Sequence, residues 1–124
     1  KSTEVKPLGQ IKTIADTAMS LVPASDPDYY NNLPSIRRFV DQGISPLTDL
    51  IDQRQLDERI NGLNPAAGYF AKTYCKYKKI EFLEAYVAVR NKNKEIEGLV
   101  QKYVNPNYTT SVQVTNLPCS VPSK

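Results

Sequence analysis

The sequence has no histidine and no tryptophan, and only two of its 124 residues are cysteine. Histidine is the commonest general base, the commonest metal ligand and the usual partner of a nucleophilic serine or cysteine. With two cysteines and no histidine, an ordinary structural zinc site cannot be assembled. A glycine-rich phosphate loop and a nucleophile motif are also missing. The sequence therefore predicts a protein that is not an enzyme and that uses no cofactor or metal.

Long apolar runs are absent as well, so no membrane span is expected. The content of 40% hydrophobic and 23% charged residues is that of an ordinary globular protein, and the length predicts a single domain over residues 1–124. The start "KSTEVKPLGQIK" has neither an initiator methionine nor a charged and then apolar leader. This start indicates a mature N-terminus left by processing, or a shortened chain, and we expect a secreted, extracellular protein.

The two cysteines allow two interpretations. Cys75 lies in "AKTYCKYKK", where four lysines would lower the pKa of a free thiol and make it reactive. Cys119 lies in the proline-flanked tail "NLPCSVPSK", and an even cysteine count in a secreted chain favours a disulfide between the two. Such a bond would close a loop of about 45 residues and stabilise the fold by on the order of 4 kcal/mol. Asn107 begins "NYT", a possible glycosylation site that agrees with secretion.

Proline marks the expected starts of helices. A proline at the first helical position costs little, because its missing N–H would be unpaired there in any case. Several of these prolines follow Ser, Asn or Asp, which are preferred N-cap residues. The prolines in question are Pro7, Pro27, Pro34, Pro46 and Pro65.

Between these prolines the apolar residues recur at helical spacing. The pattern predicts a helix over 8–22, a single turn in "DPDYYNNLP", a helix from about 36 to 43, and a further helix that starts near residue 47. We expect this last helix to end at "NGLNP", with Gly62 as its C-cap.

The next segment predicts a longer helix, which runs from Pro65 through Val87 and bends at "RNKNK" before residue 104. Residues 80–89 are apolar over most of the helix surface, so we expect them to form the central and most buried part. Residues 105–124 change character, and alternation around Val112 and Val114 predicts an extended strap. The predicted fold is an all-α antiparallel bundle of four to five helices, with an extended C-terminal strap held by one disulfide.

Positive charge is concentrated in the second half of the chain. Residues 1–63 contain seven Lys and Arg against nine Asp and Glu, whereas residues 64–124 contain nine against four. The basic stretch could bind an acidic partner, but glutamates interrupt it, and the solvated face of an amphipathic helix explains it as well. Aromatic residues at helical spacing indicate core packing, so nucleic acid is not an expected partner. The candidate binding lysines are Lys72, Lys76, Lys78 and Lys79.

The segment "SDPDYYNNLP" is the second candidate binding surface. Tyr29, Tyr30 and Asn31 have the composition of a protein interface, because tyrosine gives a large contact area at a low entropic cost. In the alternative interpretation, one tyrosine packs under the loop while Asp26 and Asp28 cap a short helix. The sequence leaves both open.

The chain resembles a known family in size, charge and layout. It has a cysteine within the helical segment "YFAKTYCKYKKIEFLEAYV" and a second in the tail "TNLPCSVPSK". In these features it resembles the anopheline mosquito salivary family that includes albicin and anophensin, small helical inhibitors of host defence. The resemblance implies a salivary protein of a blood-feeding insect that acts without catalysis, as a monomer, by docking on the alternative-pathway C3 convertase or its C3b component. Alternatives are inhibition of the contact system (factor XII or kininogen) and carriage of a small molecule or lipid.

Overall fold

The structure, a computed structural model, describes residues 7–46, 52–108 and 117–119. Within these ranges the chain is helical and contains no β-strand, which confirms the all-α prediction. Four long helices and one single-turn helix pack around a common apolar core. In chain order they are α1 (Leu8–Met19), α2 (Pro27–Tyr30), α3 (Leu33–Ile44), α4 (Gln53–Tyr77) and α5 (Ile80–Tyr103).

The first three helices follow the proline signals. The carbonyl of Pro7 accepts the N–H groups of Gln10 and Ile11, each at 3.0 Å, and so opens α1. Pro27 occupies the first turn of the four-residue α2, and Pro34 that of α3. The predicted single turn and the helix after it are therefore confirmed, although α3 begins three residues earlier than the first residue of its apolar stripe.

The predicted helix end at Gly62 is wrong, because α4 continues through this residue. A Cβ at Gly62 would collide with the carbonyl oxygen of Phe39 and come within 2.9 Å of the Gly43 nitrogen, both on α3. Gly62 thus allows a close crossing of two helices and does not cap one of them. In this context the absence of a side chain matters more than glycine's freedom in φ.

The predicted helix start at Pro65 is also wrong, since Pro65 lies inside α4. A proline in a helix interior removes one hydrogen bond and costs about 3 kcal/mol. The neighbouring side chains offset this cost by burial: Leu63, Ala66 and Phe70 are fully buried on the opposite side, while Pro65 itself is exposed. Tertiary packing therefore overrides the local signal.

The break that the sequence placed at "RNKNK" lies instead at Lys78 and Lys79, and α5 is continuous through residues 90–94. Lys78 ends α4 in the left-handed conformation (φ 61°, ψ 31°) and donates its N–H to the Tyr74 carbonyl at 2.7 Å. Glycine usually takes this position, and no glycine marks it here. Asn93, in the polar stretch, faces the core and donates to the Asn64 Oδ1 at 2.6 Å.

Burial along residues 80–89 agrees with the prediction only in part. Phe82 and Val89 are fully buried, but Ile80 is 56% exposed. The helix with the most buried residues is α4, which packs against both α3 and α5. The most buried helix is therefore α4, and not the segment of residues 80–89 that the sequence predicted.

The disulfide between Cys75 and Cys119 is present, with a Cα–Cα distance of 5.7 Å. It joins the end of α4 to the C-terminal region, and Leu117 and Cys119 pack against the core. The predicted extended strap around Val112 and Val114 lies outside the described residues. No helix in the described ranges combines the length and the apolar character that crossing a membrane requires.

Candidate functional site

The corner formed by α2 and the second half of α4 contains several of the candidate binding residues. The Tyr29 ring contacts the rings of Tyr69 and Tyr77 edge-on, with centroids 5.8 and 6.1 Å apart. The Tyr69 hydroxyl donates to the Tyr29 carbonyl at 2.9 Å. Burial raises the pKa of Tyr69 to about 12, so this hydroxyl is a neutral donor at physiological pH. Tyr29 is therefore a packed residue that holds α2 in place.

An ion pair closes the same corner. The Lys76 Nζ lies 2.6 Å from the Asp26 Oδ2, and the Tyr77 hydroxyl donates to that oxygen at 2.5 Å. The hydrogen bonds from Lys76 and Tyr77 lower the pKa of Asp26, and the bond to Asp26 raises the pKa of Lys76. Burial, together with the bond to Asp26, raises the pKa of Tyr77. In the alternative interpretation Asp26 caps α2. Asp26 does occupy the N-cap position, but its side chain makes no cap hydrogen bond to α2 and binds α4 instead.

The structure separates the four candidate lysines into two pairs. Lys72 and Lys76 adjoin Tyr29: Lys72 lines a groove beside it, and the Lys76 Nζ lies 5.2 Å from its ring centroid. Lys78 and Lys79 form the connection between α4 and α5, and both are exposed. The four lysines therefore lie in two settings, one beside Tyr29 and one at the connection between α4 and α5.

Tyr30 and Asn31 lie on the other side of α2 from that groove. The Tyr30 side chain is 43% exposed. Both residues line a second groove, of about 380 Å³, together with Leu33, Pro34 and Arg37. Of the two adjacent tyrosines, one is thus packed and the other is available for contact with a partner.

The groove beside Tyr29 is the larger of these two, at about 530 Å³. It lies between the α2–α3 segment and α4, whose residues 61 to 72 form its floor. Asn61, Asn64 and Lys72 supply polar groups, and Tyr29 and Tyr69 supply aromatic surface. Sequence analysis missed the amides and Tyr69, although their spacing of three to five residues along one helix face is visible in the sequence.

The remaining candidate residues lie elsewhere. Cys75 is in a disulfide, which rules out the reactive-thiol interpretation. Asn107 is exposed in the turn after α5, and its N–H is bonded to the Asn105 Oδ1 at 3.0 Å. Its sequon extends to Thr109, outside the described residues, so glycosylation stays a prediction.

The α2 corner brings polar, cationic and aromatic side chains together at the surface. An exposed tyrosine, two lysines and several amides adjoin a rigid, ring-packed support, and the described residues contain no group of three or more acidic or cysteine side chains that could hold a metal ion. No protein-family model, curated protein or solved structure matches the chain.

Proposed function

We propose that this chain is a secreted salivary binding protein of a blood-feeding insect that inhibits the host alternative complement pathway. It docks on the C3 convertase, or on its C3b component, and acts without catalysis. The fold supports a binding role, because a helical bundle with a disulfide presents a rigid surface and so lowers the entropic cost of association. The target follows from the family resemblance.

The observation that supports this proposal best is the meeting of two candidate binding segments. Tyr29 and Lys76 are 47 positions apart in the sequence, yet the Lys76 Nζ lies 5.2 Å from the Tyr29 ring centroid. Tyr30 and Lys72 are both exposed, each in one of the two grooves that flank α2. Tyrosine is one of the residue types that dominate binding energy at protein interfaces.

The first measurement is the lysis of rabbit erythrocytes by the alternative pathway in human serum, with and without the purified protein. We expect dose-dependent protection. Protection that is absent at micromolar protein would contradict the convertase target, and clotting times of the contact system would then test the alternative target of the same family.

Variants locate the binding surface. We expect Tyr30→Ala combined with Lys72→Gln to raise the half-inhibitory concentration about tenfold or more, the size of effect seen when residues central to an interface are truncated. Tyr103→Ala is the matched control, because Tyr103 is also well exposed but lies at the far end of α5. Tyr29 is left intact, since its ring packs against α4. Unchanged inhibition by the double variant, with its helicity intact, would exclude this corner.

A further inference from the structure

The floor of the groove beside Tyr29 has an unusual backbone. Pro65 has no N–H, so the carbonyl of Asn61, one turn earlier in α4, lacks the donor that residue 65 of a regular helix would supply. Both residues line the groove. Gly68, one turn further on, contributes no side chain to the floor. The helix therefore lacks one backbone donor for Asn61 and a side chain at Gly68, both on this floor.

The floor of the groove contains polar groups with unused hydrogen-bonding capacity. Asn64 is only 5% exposed; its Oδ1 accepts from Asn93, and its buried Nδ2 has no partner among the described residues. The Asn61 side chain is exposed and makes no hydrogen bond to any described residue. A buried donor without a partner is costly, so a ligand that reaches Asn64 would satisfy an otherwise unpaired group.

The charge of the groove has one sign. Lys72 is exposed at one end and forms no ion pair with the residues described, unlike Lys76, whose charge is balanced by Asp26. None of the described lining residues is acidic. An anionic group is therefore the favoured occupant near Lys72.

The remaining surface suits a ring that carries hydroxyl groups. Carboxamides both donate and accept, which matches the hydroxyl group of a sugar. The rings of Tyr29 and Tyr69, with Pro65 and Ile36, provide apolar surface for the C–H face of a pyranose. A volume of about 530 Å³ lies within the range of small-molecule sites.

We propose that this groove binds a carboxylated sugar, with the carboxylate paired to Lys72 and the ring hydroxyls bonded to the amides of Asn61 and Asn64. This proposal concerns a free small ligand and needs no protein partner, so binding of a sugar by the parent protein tests it without reference to erythrocyte protection. Lys72→Gln also changes the surface proposed for complement, but Asn61→Asp alters the groove without changing a residue named for that surface.

A titration followed by ¹⁵N–¹H NMR tests the site, with the methyl α-glycoside of N-acetylneuraminic acid and methyl β-glucuronide as acidic probes. We expect millimolar or tighter binding of at least one of them, with shifts confined to residues that line the groove. Methyl β-glucoside, a ring without a carboxylate, and acetate, a carboxylate without a ring, are the controls, and each should bind about tenfold more weakly or not at all. Equal binding of the glucoside would overturn the role of the charge, and equal binding of acetate would overturn the sugar. No binding of either acidic probe would overturn the site.

Two variants and their controls complete the test. Lys72→Gln removes the cation, and Asn61→Asp places a negative charge on the same groove floor, where it replaces an amide donor with almost no change of shape. Both positions are exposed, so folding should be retained. We expect each variant to weaken binding of the acidic probe about tenfold, whereas Lys94→Gln and Asn105→Asp, at exposed positions outside the groove, should leave it unchanged. Affinity unchanged by both Lys72→Gln and Asn61→Asp would place the sugar elsewhere and refute the assignment.

Discussion

At the scale of single residues, Asp26 links a four-residue helix to the rest of the bundle. An isolated helix of this length has no stability of its own, because nucleation is unfavourable. None of the α2 residues is fully buried, so polar contacts must supply much of its attachment. The Asp26 side chain, 13% exposed, receives both the Lys76 ammonium and the Tyr77 hydroxyl.

The first prediction concerns Asp26→Asn. We expect this change to lower the midpoint of thermal unfolding at pH 7, because it removes the negative partner of Lys76. The pKa of Asp26 is lowered in the folded state, so its contribution to stability is present above the unfolded pKa of about 4 and is lost as the pH falls through the folded pKa. The difference between the two proteins should therefore be present at pH 7 and shrink at pH values below about 4.

Thermal unfolding followed by circular dichroism across this pH range measures the effect. Asp28→Asn is the matched control, because Asp28 is exposed and its side chain makes no ion pair within the described ranges. A difference that stays constant between neutral and strongly acidic pH would show that the Asp26 charge is not responsible.

At the scale of the elements, the sequence predicts which segments are helical better than where two of them end. The helices α1 and α3 and the turn at Pro27 are predictable because the positions of the prolines and the helical spacing of the apolar residues indicate the same boundaries there. They disagree in α4, where Gly62 and Pro65 indicate an end and a start, and packing against α3 and α5 overrides both. The true break at Lys78 gives no signal, since a lysine takes a conformation that usually indicates glycine.

The candidate site was predictable to a similar degree. The residue types of Tyr29, Tyr30 and the lysines identify them as candidates in the sequence. Which of them lie close together depends on where α2 packs along α4. That placement comes from long-range contacts such as the Tyr69 hydroxyl to the Tyr29 carbonyl, 40 residues apart. Periodicity within one helix contains no information about such contacts.

The second prediction compares two glycines in helix interiors. Gly62→Ala should destabilise the protein by about 1–3 kcal/mol, because its Cβ would press on the backbone of α3 and force the helices apart. Gly98→Ala should stabilise it by about 0.5–1 kcal/mol, since a Cβ there meets nothing within 4 Å and alanine favours the helix. Urea unfolding measures both. Equal effects of the same sign would mean that helix propensity, and not the crossing of α3 and α4, sets the requirement at Gly62.

At the scale of the whole molecule, the bundle and its C-terminal region are joined covalently at one point. The Cys75–Cys119 bond spans 44 positions and connects the end of α4 to a tail segment that packs on the core. The buried residues of the four long helices all lie between residues 11 and 100. Helix packing and the covalent link are therefore separable contributions.

The third prediction follows from this separation. Replacing both cysteines with serine should lower the free energy of unfolding by on the order of 4 kcal/mol, because the unfolded chain regains the entropy of an open loop of 44 positions. The far-UV circular dichroism of the folded variant should stay close to that of the parent protein, since the helices keep their apolar contacts. Dithiothreitol should reproduce the loss in the parent protein and have no effect on the variant, which separates the bond from the serine side chains. A loss of helicity in the native baseline would show instead that the bundle depends on the tail for its packing, and a loss in stability below about 1 kcal/mol would show that the unfolded chain is already compact in this region.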